Sequence, residues 1–312
     1  MLRRSLSALV ALLGVVILVF VVVRVVPGDP VDHLLGEQAT ATDRAALRER
    51  MHLDGSLPDQ LATYLTELAQ GGLGTSYALR GAETPVATLI AAELPHTVGL
   101  ALASLMIAIA LALPLGLGAA LRRDGALDHG ARAVALLAVS TPAFVSGPAL
   151  IYVLAVWLPL APTPAHDATP IAALVLPSLI VGFALSGRLA RLLRATVLET
   201  LRAPWVEAAR ARGLSPTRVV LGHVLPNAVP PVLTVLGLQL AALLGGALVT
   251  EKVFGRPGIG TLLLDAISCR DYAVVQGCVI VIGLAYTVIN GAVDVAHRSL
   301  DPRIRDGHRD VS

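Results

Sequence analysis

Residues 204–231 read Pro-Trp-Val-Glu-Ala-Ala-Arg-Ala-Arg-Gly-Leu-Ser-Pro-Thr-Arg-Val-Val-Leu-Gly-His-Val-Leu-Pro-Asn-Ala-Val-Pro-Pro, a charged island between two long apolar runs. Pro204 suits the first position of a helix, and Gly213 suits a left-handed stop just past its end. The signals then repeat. Ser215 caps a second short helix, Pro216 takes its first position, and Leu214 packs on Val219 as a hydrophobic staple. Pro226 ends that helix before the next apolar run. The expected product is a helix–glycine–helix elbow held at a membrane face. On its first helix Trp205, Ala208, Ala209 and Arg212 fall on one side, where small residues let a partner approach while Arg210 and Arg212 flank it. A plain basic loop is the alternative, because positive cytoplasmic loops are the rule in membrane proteins.

The composition around the island sets its context. The chain has 312 residues, of which 55% are hydrophobic and 15% charged, with a mean hydropathy of +0.74. A soluble domain of this size needs more polar surface than that. The net charge is only +2, so no global basicity argues for a nucleic-acid partner. Cys269 falls in a loop and Cys278 in an apolar run, which argues against a structural disulfide. No H-E-x-x-H or similar spacing nominates a metal site among the histidines.

Arg3 and Arg4 precede an uncharged run over 5–23, long enough to cross about 30 Å of hydrocarbon. The run is too long for a typical signal-peptide core and no A-x-A-like site ends it, so it reads as a retained span. Pro27-Gly28-Asp29-Pro30 then breaks the helix. About 65 mixed, predominantly acidic residues follow, in which Thr42 caps a short helix toward Met51. Leu61, Leu65 and Leu68 give a second helix after Pro58, ending at Gly71-Gly72. Uncharged runs recur over 97–121, 133–158, 168–187, 224–250 and 272–293, making six spans with the first. Pro114, Pro142, Pro148, Pro177 and Gly245-Gly246 interrupt them, mostly as kinks that packing tolerates.

Charge asymmetry orients the chain. Sixteen of the 24 basic residues lie at the two ends, in the 122–132 loop and in the island. This places both termini and the elbow in the cytoplasm. The domain plan is therefore a first span over 1–26, an external helical segment over 27–95, a five-helix core over 96–296 with the elbow at about 204–226, and a cytoplasmic tail over 297–312.

The spans hold almost no Asp, Glu, Lys or Arg, which an ion-coupled pump needs at depth. The chain also has no G-x-x-x-x-G-K-[ST] loop, and its one lysine, Lys252, sits in Thr250-Glu251-Lys252-Val253. Active transport would therefore draw on a separate ATPase. A polytopic membrane enzyme finds no zinc-ligand motif, and Ser186-Gly187 does not complete a rhomboid-like G-x-S-G. A passive channel gives the elbow no role. No internal repeat is evident.

Glu207-Ala208-Ala209, Gly213 and Leu225-Pro226 resemble, at the family's spacing, the EAA motif of permease subunits in bacterial ABC importers. Further stretches look like the B-type permease of the dipeptide/oligopeptide family. These are Arg24–Pro30, Gly72-Leu73-Gly74-Thr75-Ser76, Thr84-Pro85-Val86, Leu94-Pro95, Thr141–Val145, Leu244–Ala247, Glu251–Gly260, Arg270-Asp271 and Leu300–Arg305. The sequence departs from that subfamily at Pro204-Trp205 and Glu207, and in its short Pro-rich link over 159–170. The resemblance implies an all-α type I ABC importer permease of six transmembrane helices in the bacterial plasma (inner) membrane, in contact with lipid. It implies partnership with a second permease, two ATPase subunits and an extracytoplasmic substrate-binding protein, with ATP and Mg held by the ATPases and no cofactor or metal in this chain. The elbow residues Trp205, Glu207, Ala208, Ala209, Arg210, Arg212, Gly213, Leu214 and Ser215 would couple to the ATPase. The implied cargo is di- or oligopeptides, with nickel chelates, glutathione and glycosides as alternatives within the family.

Overall fold

The computed structural model describes residues 2–26, 28–36, 39–79, 83–158 and 172–300. The link over 159–170, the tail from 301, Pro27, Glu37 and Arg80 lie outside the described residues, as does most of the 300–305 motif. The first five helices are α1 (Leu2–Val25), α2 (Pro30–Leu35), α3 (Ala41–Arg50), α4 (Leu57–Ala69) and α5 (Val86–Leu121). A short antiparallel pair, β1 (Thr75–Ser76) and β2 (Thr84–Pro85), precedes α5 in register Thr75 to Pro85. Then come α6 (Ala126–Ser140), α7 (Ala143–Ile151) with a π-helical continuation (Tyr152–Trp157), and α8 (Ala172–Thr200). The elbow comprises α9 (Pro204–Ala211), α10 (Pro216–Val219) and a π-helical turn (Val220–Val224) leading into α11 (Leu225–Gly246). The chain closes with α12 (Leu248–Val253), α13 (Ile259–Ser268) and α14 (Tyr272–Leu300).

Among the described residues four helices are long and apolar enough to cross a membrane: Val86–Leu121, Ala173–Thr200, Pro216–Gly245 and Tyr272–Ala296. The pair Ala126–Ser140 and Phe144–Trp157, bent by 102°, is long and apolar enough for a fifth when its two halves are counted as one span. The bend falls at Thr141-Pro142, where the proline ring removes a donor and forces the preceding residue out of the helical region. Pro142 is thus a break rather than a kink, whereas Pro148 and Pro177 sit inside helices. The first run forms α1, whose apolar part covers Val10–Val25. Helix and apolar run do not coincide elsewhere. α5 starts at Val86, well before its uncharged run, and α8 continues past Gly187 through Arg188, Arg191 and Arg194 to Thr200.

The chain divides into two compact units, Met1–Thr97 with Pro257–Thr287, and Val98–Arg256 with Val288–Ser312. In the first unit, Val86, Leu89 and Ile90 of α5 pack with Ile259 and Ala266 of α13 and Val274, Val275 and Cys278 of α14. Asp271 is the polar pin of this unit. It is 4% exposed, its Oδ2 accepts from Ser76 Oγ at 2.6 Å and from the Ala78 N–H at 3.3 Å, and its Oδ1 accepts from the Val274 N–H at 3.2 Å. One carboxylate so caps α14 and holds the β1 loop, 195 positions away in sequence. The cap of α3 is Thr40, not Thr42. Its hydroxyl oxygen accepts from the Asp43 N–H while Asp43 accepts from the Thr40 N–H, a reciprocal box available to Thr40 because an acid stands three residues on. Cys269 and Cys278 are both free.

In the second unit α8 is the central helix. It runs close enough to its neighbours that a Cβ at Gly187 would lie 2.5 Å from the Ala135 carbonyl of α6. One at Gly182 would lie 2.8 Å from the Ser104 carbonyl of α5. Small residues at such crossings let membrane helices approach backbone to backbone. Leu189, Ala190, Leu193 and Val197 then carry the core of this unit toward the elbow.

Candidate functional site

The elbow forms where the sequence places it. Ala203 is extended at the N-cap of α9, Pro204 takes the first turn, and the Val206 N–H donates to the Ala203 carbonyl at 3.0 Å. At the far end Gly213 has φ +79°. Its N–H donates to the Arg210 carbonyl at 2.9 Å, and the Leu214 N–H donates to the Ala209 carbonyl at 3.4 Å. This pair of bonds is a Schellman closure, and Leu214 and Ala209 supply its apolar contact in the same buried cluster. Ser215 occupies the next N-cap position and Pro216 follows in the first turn, but the Ser215 side chain makes no capping hydrogen bond. Leu214 and Val219 pack in one cluster, as a staple requires.

Two expectations are corrected. Pro226 does not end a helix. Backbone dihedrals stay helical from Val219 through Leu225, and the Leu225 N–H bonds to the Val220 carbonyl in a π-type turn. That wider turn lies directly before Pro226, where a regular α-helix would meet the clash of the proline ring. The second short helix is therefore the first turn of one long helix over Pro216–Gly245. The second correction concerns Ala209. It does not lie on a free face with Trp205, Ala208 and Arg212, but is 8% exposed beneath the elbow beside Val206, at 0%. The i, i+3 pair Val206 and Ala209 is the apolar stripe of α9, and it packs with Leu193, Val197, Val219, Val224 and Ala228.

What remains outward is a compact surface. Trp205 is 43% exposed, and Glu207, Ala208, Arg210, Arg212, Gly213 and Ser215 are exposed with it. Among the described residues Glu207, Arg210 and Arg212 make no ion pair, so their charges are available to a partner. An indole beside two guanidinium groups, with small residues between, is a combination enriched at protein interfaces. α9 itself is too short to be stable alone, and the burial of Val206 and Ala209 in the cluster shared with α8, α10 and α11 seats it on the second unit.

A polar clamp in the same unit escaped sequence inspection. Asp128 is fully buried and receives Arg194 Nε and Nη2, both at 2.7 Å. It also receives Arg132 Nε at 3.1 Å and Nη2 at 2.5 Å, and the Asp124 N–H at 3.0 Å. The bidentate Arg194 fork locks α6 to α8 one turn before the residues that carry the elbow. In the sequence Arg132 and Arg194 count only toward topology. The i, i+4 spacing of Asp128 and Arg132 was the one local signal, and nothing local announces Arg194, 66 positions away.

Comparison with known proteins adds the decisive observation. Residues 112–306 match the family described as binding-protein-dependent transport system inner membrane component, and residues 1–101 match its N-terminal membrane component. The chain belongs to this family. It is a multi-pass permease of the type I ABC importer fold. The glutathione transport system permease protein GsiC of Salmonella choleraesuis is 38% identical over 97% of this chain and 98% of its own length. The di/tripeptide transport system permease protein DppB of Pseudomonas aeruginosa is 38% identical over 94% of each chain. A putative peptide permease protein of Brucella suis is 37% identical over 97% of this chain and 98% of its own length. Among solved structures, an inward-facing conformation of the MetNI methionine ABC transporter superposes with a TM-score of 0.56 at 21% identity, over 68% of this permease and 96% of that chain.

Proposed function

We propose that this permease is a subunit of an ATP-driven, binding-protein-dependent importer of di- or oligopeptides, and that α9 with Gly213 is its coupling element. The observation that carries this is the elbow: a helix anchored from below by Val206 and Ala209, presenting Trp205, Glu207, Ala208, Arg210 and Arg212 outward. In the proposed assembly a second permease completes the pathway. Two ATPase subunits bind ATP and Mg, and a binding protein delivers cargo from outside; this chain needs no cofactor of its own. ATP-driven closure of the ATPases moves the elbows together. Because Val206 and Ala209 of α9 are buried in the cluster shared by α8 and α11, the displacement passes into the spans and not into a flexible loop. Work is transmitted only if the elbow binds its ATPase differently in the two states.

Peptide cargo is supported by the relatives named for peptides in Pseudomonas and Brucella. Glutathione, itself a small peptide, is a second reading, supported by the relatives named for it in Salmonella. Competition settles the choice. In cells depending on this importer, excess dialanine should suppress uptake of labelled dipeptide more strongly than equimolar glutathione does; the reverse order would make glutathione the cargo. Purified from its native host, the chain should carry an ATPase subunit and a second permease with it. Expressed alone it should bind no ATP, since it lacks a phosphate-binding loop. ATPase activity in the isolated chain would end the subunit assignment.

The proposed orientation sets the segment over 27–95 outside the plasma (inner) membrane, with both termini, the tail over 297–312 and the elbow in the cytoplasm, and the core over 96–296 between. Arginine asymmetry supports it. After replacement of Cys269 and Cys278, Arg210→Cys should react with an impermeant thiol reagent only from the cytoplasmic side and Asp54→Cys only from the outer side. Both positions are exposed. Reaction of both from one side would overturn the arrangement.

A further inference from the structure

The first unit contains a cavity of about 150 Å³ whose lining includes Arg24, Tyr64, Glu67, Asp271, Tyr272 and Gln276. Two neutral donors without a partner among the described residues meet there beside a guanidinium that no carboxylate pairs, its Nη1 donating only to the Phe20 carbonyl at 3.5 Å. Gln276 is 4% exposed, and its Nε2 has no hydrogen-bond partner. The Tyr64 hydroxyl is likewise buried and unpartnered. Arg24 is held in place without being neutralised. Its guanidinium lies 3.6 Å over the Phe20 ring and 5.9 Å from the Tyr272 ring, and its Nε donates to Gln60 Oε1 at 2.7 Å. Among the described residues no carboxylate lies within ion-pair distance of it. Burial pushes the Tyr64 phenol up to about 12, so it is a protonated donor at neutral pH.

The two carboxylates on the wall differ in what they can still do. Asp271 already accepts from Ser76, Ala78 and Val274. Glu67 makes no ion pair among the described residues. The cavity therefore offers a cation with two neutral donors for an anion, and one unspent carboxylate for a cation. A volume near 150 Å³ is the size that admits a ligand of about six heavy atoms. We propose that this cavity is a binding site for a small zwitterionic α-amino acid, its carboxylate received by Arg24, Tyr64 and Gln276 and its ammonium by Glu67. The site is independent of the elbow, and the coupling assignment stands or falls without it.

Alanine, acetate and ethylammonium separate the contributions. With the full chain purified in nanodiscs together with its partner subunits, calorimetric titration should show saturable alanine binding, weaker acetate binding and no ethylammonium binding. Gln276→Leu and Tyr64→Phe keep the volume and remove a donor, and each should weaken alanine about tenfold, the cost of one hydrogen bond to a charged group. Glu67→Gln should reduce the preference for alanine over acetate. Variants that fail to fold are recognised by loss of the monodisperse complex, and Tyr64→Phe, which removes one oxygen, keeps the test open. Absence of saturable alanine binding at tens of millimolar would mean that the cavity holds only water. Alanine binding unchanged in both donor variants would place the ligand elsewhere. Either outcome overturns the site.

Discussion

Gly213→Val should leave the importer assembled in the membrane at normal levels and abolish substrate uptake. The φ of +79° lies in the left-handed region, and a Cβ built on Gly213 would meet nothing within 4 Å. The penalty is therefore all backbone, on the order of 1–2 kcal/mol for a β-branched residue. That is small beside the packing of the spans, but large for an eight-residue α9 whose end is closed by only two Schellman bonds. Relaxing the strain means losing the Gly213-to-Arg210 and Leu214-to-Ala209 hydrogen bonds, after which Arg210 and Arg212 no longer hold a fixed angle to Trp205. In the reconstituted importer, ATP hydrolysis should no longer rise when loaded binding protein is added. Gly213→Asn supplies the control. Asparagine tolerates the left-handed region, so that variant should retain most of the stimulation. Full stimulation with valine in place would reduce the elbow to an ordinary loop.

The elbow was legible because its signals are local. Proline in a first turn and glycine at a left-handed stop each act within one or two residues, and each fell where the sequence put it, whereas Ser215 took its N-cap position without the capping hydrogen bond. What the sequence misjudged needed geometry of another range. Pro226 reads as a terminator under the rules for regular α-helices, but a π-type turn over Val220–Val224 widens the coil just ahead of it. Ala209 reads as part of a small-residue docking stripe, yet the helical period also pairs it with Val206, and the buried surface claimed that pair. Thr40 and Thr42 are equally good caps by type, and only Asp43 three residues after Thr40 distinguishes them.

Long-range pairing was illegible for a different reason. Asp271 and Ser76, or Asp128 and Arg194, carry no mark of partnership until the chain is folded. The motifs of the N-terminal half show what such pairing accomplishes. Gly28 stands where a Cβ would run into the Arg270 guanidinium, and Ser76 donates to the neighbouring Asp271. Gly28, Ser76 and the Arg270-Asp271 pair are far apart in sequence and meet in one unit. Their first physical role is to fix the loops around α14, which is why they do not by themselves announce a cargo.

Gly187 should behave as the opposite of Gly213. Its own conformation is ordinary helix, but an added Cβ would lie 2.5 Å from the Ala135 carbonyl oxygen and 2.9 Å from the Ala138 Cβ. The first of these is backbone, and no rotamer change can clear it. Gly187→Ala must then push α6 and α8 apart along the crossing that the Asp128–Arg194 clamp holds shut. Overpacking of this kind costs about 1–3 kcal/mol, against an intrinsic helix gain for alanine of up to about 1 kcal/mol. The clash wins. Gly130 of α6 isolates the second term, since a Cβ there would meet nothing within 4 Å. Gly130→Ala should melt at or slightly above the parent temperature. Gly187→Ala should melt several degrees below it, with a lower yield in the membrane, and Gly187→Leu should scarcely accumulate. Uptake per assembled importer is the discriminating readout: Gly187→Ala loses protein while its surviving complexes still couple, whereas Gly213→Val keeps protein and loses coupling. If Gly187→Ala were as stable as Gly130→Ala, the close α6–α8 crossing would be wrong, and with it the rigid seat on which α9 is proposed to act.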